Sequence, residues 1–264
     1  MPHLYRDGVK IYYEVHGQGT PLILTHGYSS TSAMWQGQID LLSKQYKLVI
    51  WDMRGHGQSD YPDDPSAYSE PHTVADMASI LDHVNGKGCK AIVGGLSLGG
   101  YMSMAFYNAY PERVIALLII DTGPGFKKDS ARNAWNEYAR KTGDDFDKNG
   151  LGPLQSMSPE RSQVSHRNAK GIAHAARGML TQRDATVINS LGNIRVPSLV
   201  LVGAEDKGFL AATDYMASKI PQATKVVIPK AGHAANIDNP EAFNQKLMAF
   251  LGSLKNRRGP KASL

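Results

Sequence analysis

Residues 94–100 read GGLSLGG, four glycines and one serine in seven positions. Three chemistries share this spelling: a flexible linker, a phosphate-binding loop, and a tight turn that holds a serine in a posture most backbones refuse. The flanks decide. KAIVGG (90–95) is a short apolar run that reads as a buried strand, and residues 98–110 carry a helical pattern. A strand–turn–helix context excludes a linker. A Walker-type phosphate loop needs a Lys-Ser/Thr pair opening the helix, and this stretch has none. What remains is Gly95-Leu96-Ser97-Leu98-Gly99, with Ser97 at the apex of a strained turn and its hydroxyl projecting clear of the sheet. The Leu98 N–H, at the start of the helix, is then placed to hold a developing oxyanion. The plainer reading is a glycine-rich turn whose serine caps the helix.

Further apolar runs lie on both sides. VKIYYEVHG (9–17), PLILTHG (21–27), YKLVIWD (46–52), RVIALLIID (113–121), VPSLVLVG (196–203) and TKVVIP (224–229) read as strands, mostly of the kind buried on both faces. Helical patterns separate them at 32–44, 73–85, 98–110, 211–220 and 240–254. The alternation predicts an α/β fold, a mostly parallel sheet with helices on both faces. One stretch interrupts it. Residues 122–192 hold no convincing strand; 130–141 and 163–180 look helical, and TGDDFDKNGLG (142–152) reads as a turn-rich loop. The expected organisation is a core of 1–121 and 193–254, a helical cap at 122–192, and a basic, disordered tail at 255–264.

A serine alone is a weak nucleophile; it needs a base, and the base an orienting acid. In a parallel sheet both belong on loops at the carboxyl ends of strands. His233, in PKAGHAANIDNPE (229–241), follows the last strand and is the expected base. Asp206, in LVGAEDKGF (201–209), is the preferred acid, and Asp121, ending the strand 113–121, is its rival. The second oxyanion donor is expected from THGYSS (25–30): Gly27 lets the chain turn inward and Tyr28 offers its N–H, while His26 braces the loop. The Tyr28 ring is a candidate pocket wall or substrate contact. His166 and His174 fall in the cap and could line a substrate cavity, although solvated positions are expected. No His-x-His or His-Glu-x-x-His spacing occurs, so no metal is expected.

Charge bounds the partners. The chain has 264 residues and net charge +5, of which the tail residues Lys255, Arg257, Arg258 and Lys261 supply four. No nucleic-acid-binding pattern accompanies them. No stretch approaches a membrane span and no signal-peptide run opens the chain, and Cys89 is the lone cysteine, so a cytoplasmic protein is expected. Residues 122–192 carry 11 Lys/Arg against 7 Asp/Glu. That excess suggests an anionic substrate through Arg132, Arg161, Arg167, Lys170 or Arg177; a solvated helical surface is the competing reading. Phe126, Trp135, Tyr138, Phe146, Met157 and Met179 are available to line an apolar pocket, with Trp135 and Tyr138 the chosen substrate contacts.

HGYSS, WDMRGHGQSD (51–60), GGLSLGG, VGAED and AGHAANIDNPEAF occur in this order, and together the chain from about residue 9 to 254 resembles the α/β-hydrolase superfamily. The resemblance implies that Asp52, Arg54, Gly55, Gly57 and Ser59, matching its D-x-R-G-x-G-x-S pattern, form a structural turn. Asp238 stands where many relatives have Glu. Haloalkane dehalogenases and related epoxide hydrolases use an Asp nucleophile, whereas position 97 is Ser; Ser29 replaces a proline common in epoxide hydrolases. The serine branch remains, similar in layout to 3-oxoadipate enol-lactonases and small carboxylesterases. The implied function is cofactor-free hydrolysis of a small ester or lactone through Ser97, His233 and Asp206. C–C bond hydrolysis of dienoic ring-fission products, or ligand binding on a hydrolase fold, are the alternatives.

Overall fold

The computed structural model describes residues 2–256. Eight strands form one sheet: β1 (His3–Arg6), β2 (Val9–His16), β3 (Thr20–Thr25), β4 (Tyr46–Trp51), β5 (Ala91–Leu96), β6 (Val114–Ile120), β7 (Ser198–Gly203) and β8 (Ala223–Ile228). Their order is β1-β2-β4-β3-β5-β6-β7-β8, antiparallel at β1–β2 and β2–β4 and parallel from β4 onward. Seven of these strands were expected from the apolar runs. β1 was not, although its signal is present: Asp7-Gly8, with φ of 51° and 75°, is the two-residue turn that joins tight hairpins.

The ten helices are α1 (Gln36–Leu42), α2 (Glu70–Asn85), α3 (Leu98–Ala109), α4 (Asp129–Asn149), α5 (Pro159–Ser162), α6 (Ala169–Ala175), α7 (Thr186–Ser190), α8 (Lys207–Lys219), α9 (Ala235–Asp238) and α10 (Pro240–Asn256) among the described residues. Successive strand residues face opposite sides, so the sheet divides the core in two. Ile23, Val49, Leu117 and Ile119 pack beneath α2 and α3, whereas Leu22, Leu24, Leu48, Ile50 and Leu118 pack toward α1 and α10. That is why the central strands read as unbroken apolar runs. β8 departs from the expectation: as the edge strand it leaves Val227 40% exposed, and Lys225 pairs with Asp214 of α8.

Between β6 and β7 the chain is helical. α4 runs through most of the stretch expected to be a turn-rich loop. Tertiary contacts override the local turn signal there: Phe146 is fully buried, and Arg177 binds both Asp144 and Asp147 at 2.6 Å. The expected helix 163–180 begins only at Ala169, because Asn168 caps it by accepting from the Gly171 N–H at 3.0 Å. α10 extends to Asn256, so Lys255 is helical and donates to Gln45 Oε1 at 2.6 Å. The rest of the basic tail, from 257, lies outside the described residues.

Candidate active site

The turn between β5 and α3 places Ser97 at φ 56°, ψ −119°, a left-handed conformation that strains any residue with a side chain. Hydrogen bonds hold it: the Ser97 N–H donates to Ile120 O at 2.9 Å and its carbonyl accepts from the Tyr101 N–H at 3.0 Å. Two of the glycines are required by close approach. A Cβ on Gly95 would stand 2.5 Å from both Gly99 C and Thr25 O, and one on Gly99 would stand 2.7 Å from His26 O. The strand, the helix and the loop after β3 therefore meet backbone to backbone around Ser97, whose side chain remains partly exposed. Leu98 opens α3, so its N–H belongs to the first turn, where no earlier helical carbonyl awaits it.

His233 and Asp206 come from the loops after β8 and β7. His233 Nδ1 lies 2.7 Å from Asp206 Oδ2, with the side chains 18% and 11% exposed. The pairing makes Nδ1 the donor and leaves Nε2 unprotonated when the ring is neutral. Phe209 stacks on the imidazole at 5.2 Å. Asp238 braces the same loop, accepting the Gly232 N–H at 2.8 Å. Glu205, beside Asp206, is exposed. The rival Asp121 is fully buried and accepts the Gly203 N–H at 2.7 Å, and burial raises its carboxyl well above the usual carboxylate range. It supports the end of β7 and takes no part in the His233 pair.

The loop after β3 lies against Ser97: a Cβ on Gly27 would be 3.4 Å from Ser97 Cβ. Among the described residues the Tyr28 N–H meets no acceptor. The Tyr28 hydroxyl donates to Ile172 O at 3.0 Å, its ring lies edge-on to Phe146, and the residue borders a cavity that also reaches Ser97. His26 braces the loop as expected, with Nδ1 bonded to Gly27 O at 2.7 Å and Nε2 accepting the Met53 N–H at 3.0 Å. The D-x-R-G-x-G-x-S stretch is structural. Asp52 accepts from Ser32 N–H and Gln58 N–H, and Arg54 makes a bidentate pair with buried Asp76 at 2.7 and 2.8 Å.

Two lobes of one cavity meet at Ser97. The larger, about 390 Å³, is bordered by Tyr28, Trp135, Tyr138, Arg161, Asp206 and His233. The smaller, about 160 Å³, is bordered by Leu98, Tyr101, Phe126, Trp135, Leu180 and Phe209. Ser97, Leu98, Asp206, His233, Tyr28, Trp135 and Tyr138 thus border these lobes, as do Phe126 and Met157 among the pocket candidates. Phe146 and Met179 do not border the cavity; both are buried in the packing beneath. Phe209 and Leu180 were missed, since nothing in sequence distinguishes an aromatic or leucine at a cavity wall from one in the core.

Of five basic candidates only Arg161 reaches the cavity. Arg132 pairs with Asp129, Lys170 with Asp63, Arg177 with Asp144 and Asp147, and Arg167 is spent on Asp60 and on the Gln58 and Ser59 carbonyls. Arg161 directs Nε to the buried Glu160 carboxylate at 3.3 Å. His166 departs from the expected solvated position and is buried; His174 packs against Tyr68.

This fold and site define a class. The chain belongs to the α/β hydrolase fold family, which matches residues 20–240. It is 29% identical to a putative 2-succinyl-6-hydroxy-2,4-cyclohexadiene-1-carboxylate synthase of Bacillus subtilis (strain 168), over 94% of this chain and 97% of that one. It is 27% identical to 3-oxoadipate enol-lactonase 2 of Acinetobacter baylyi, over 94% and 95%. Among solved structures it is similar to a thermophilic esterase from Thermogutta terrifontis with malate bound, at a TM-score of 0.79 and 26% identity over 96% and 99% of the two chains. No helix among the described residues is long and apolar enough to cross a membrane.

Proposed function

We propose that the chain is a serine hydrolase that cleaves a carboxylic ester or lactone through an acyl-enzyme intermediate. One observation carries the reading: the 2.7 Å bond between His233 and Asp206 borders the cavity that also receives strained Ser97. Ser97 Oγ attacks the carbonyl carbon as His233 Nε2 takes its proton. Asp206 fixes the tautomer and stabilises the imidazolium. The Tyr28 and Leu98 N–H groups hold the oxyanion; loss of one such donor lowers turnover by roughly 10²–10³. His233 protonates the departing alkoxide, then draws a proton from water as it attacks the acyl-enzyme; the acyl–Oγ bond breaks, His233 returns the proton to Ser97, and the acid leaves. The chemistry needs no metal or organic cofactor.

Residues 122–192 act as a cap over a core of 1–121 and 193–254, and substrate selection lies in the cap. The apolar lobe suits a short hydrocarbon group. Arg161 in the larger lobe favours a substrate with a carboxylate away from the scissile carbonyl, in keeping with the anion held by the similar esterase. The protein works in the cytoplasm on a small molecule, without nucleic acid or membrane.

The test is a p-nitrophenyl ester and lactone series run with wild type and Ser97→Ala. Turnover by wild type and near-background rates for Ser97→Ala are expected; equal rates refute the assignment. A dienoate panel run beside it distinguishes C–C bond hydrolysis, which would use the same residues.

A further inference from the structure

Three buried imidazoles stand in a row behind the loop that carries Tyr28. His26 and His56 are 5.0 Å apart between ring centres, and His56 and His166 are 5.7 Å apart. Each ring ties one backbone to another. His26 joins Gly27 O to Met53 N–H. His56 accepts the Ser29 N–H at 3.1 Å and bonds Arg54 O through Nδ1 at 3.0 Å. His166 accepts the Gly57 N–H on Nδ1 at 3.2 Å, so its proton is on Nε2, which donates to Ser29 O at 3.1 Å. Burial holds all three below the ordinary imidazole range, in keeping with neutral rings that each give one proton and take another.

Ser29 needs this support. Its φ is 56°, a conformation costly for a residue with a side chain, and His56 and His166 grip both its N–H and its C=O. His26 and His56 come from the core, but His166 lies between α5 and α6, five residues beyond Arg161. The same segment grips the loop again, since Ser30 Oγ donates to Glu160 O at 2.7 Å.

From this geometry we infer that His166 is a positioning residue. It clamps the Ser29–Ser30 peptide, while His56 holds the Tyr28–Ser29 peptide, so that the loop presents the Tyr28 N–H to Ser97, and it ties the oxyanion loop to the segment bearing Arg161. This rests on the proposed role of the Tyr28 N–H. Loss of the clamp lets the loop relax; a shift of about 1 Å lowers turnover by roughly 10²-fold while substrate contacts elsewhere persist. On a neutral ester, which does not call on Arg161, His166 therefore acts on kcat and leaves KM nearly untouched.

Three variants separate its two bonds. His166→Gln supplies both an acceptor and a donor of similar reach. His166→Asn keeps the acceptor for Gly57 but falls short of Ser29. His166→Leu removes both. Neutral-ester kinetics and amide hydrogen exchange of the segment 27–31 are read on each, with melting temperature confirming the fold. In Asn and Leu variants the expected result is a kcat 10- to 100-fold lower at a KM within about twofold, with exchange at least 10-fold faster. Gln restores both. If the Leu variant does not fold, the Asn–Gln pair decides alone. Unchanged exchange in the Asn variant, or a Gln variant as impaired as Asn, overturns the clamp. Faster exchange with unchanged kcat overturns it too, because Tyr28 would then not serve the oxyanion. A wild type inert to every ester and to a fluorophosphonate refutes the hydrolase reading instead, and the exchange arm still judges the clamp.

Discussion

Gly99→Ala is a one-methyl perturbation whose effect follows from three backbones meeting at Ser97. The new Cβ would stand 2.7 Å from His26 O and closer still to Thr25 O. An ordinary carbon–oxygen contact is about 3.3 Å, so the first turn of α3 must retreat from β3 by roughly 0.5–1 Å. Overpacking of this kind destabilises by about 1–3 kcal/mol. At roughly 2–4 °C per kcal/mol for a chain of this size, the melting temperature falls by about 2–12 °C. The chemical effect is larger. The retreat moves Ser97 and the Leu98 N–H away from the loop holding Tyr28, and a displacement near 1 Å lowers kcat by about 10²-fold. Melting and ester kinetics are measured beside Gly252→Ala, an exposed position in α10 where a Cβ meets nothing within 4 Å. That control gains about 0.5–1 kcal/mol at unchanged kcat. A Gly99→Ala enzyme with wild-type melting and kcat would refute the packing argument.

Arg161→Gln lowers kcat/KM for a carboxylate-bearing ester by roughly 10- to 100-fold, the worth of a hydrogen bond to a charged group, and leaves a neutral ester unchanged; equal effects on both esters would remove Arg161 from substrate recognition. Asp76→Ala leaves the Arg54 guanidinium, 1% exposed, without its bidentate partner and destabilises by about 3–5 kcal/mol in urea unfolding. Burial pushes the His26 imidazole down to about 4, so the unfolded chain binds its proton first. Its contribution, about 3 kcal/mol, is complete above pH ~6.5 and is lost as pH falls toward 4. His56 and His166 act in the same direction, whereas Asp121, Asp52 and Glu70, raised by burial, act oppositely. Urea midpoints between pH 7.5 and 4.5 therefore fall with acidity, and a flat profile contradicts the buried neutral cluster.

The central sheet was legible because burial on both faces leaves apolar runs, and GGLSLGG because strand, turn and helix are written locally. Ser97, Asp206 and His233 could be nominated from their places after strands, which is a topological regularity. Local signals failed where distant groups intervene. The three aspartates and two glycines of 142–150 spell a turn until Arg177 binds Asp144 and Asp147 into α4. Five basic residues looked equivalent, and only their partners, some more than a hundred positions away, leave Arg161 at the cavity. His166 was read as solvated because its partners, Gly57 N–H and Ser29 O, are backbone groups 109 and 137 positions away and carry no side-chain signature. The β1 hairpin was legible through Asp7-Gly8 and was missed because HLYR is short and half polar.

The central claim is that Ser97 is the activated nucleophile. Brief treatment with a reactive fluorophosphonate, followed by peptide mass mapping, tests it without knowledge of the natural substrate. The account predicts a single adduct on Ser97, abolished in His233→Ala and slowed in Asp206→Asn. An adduct on another serine, or none in the folded wild type, would contradict it.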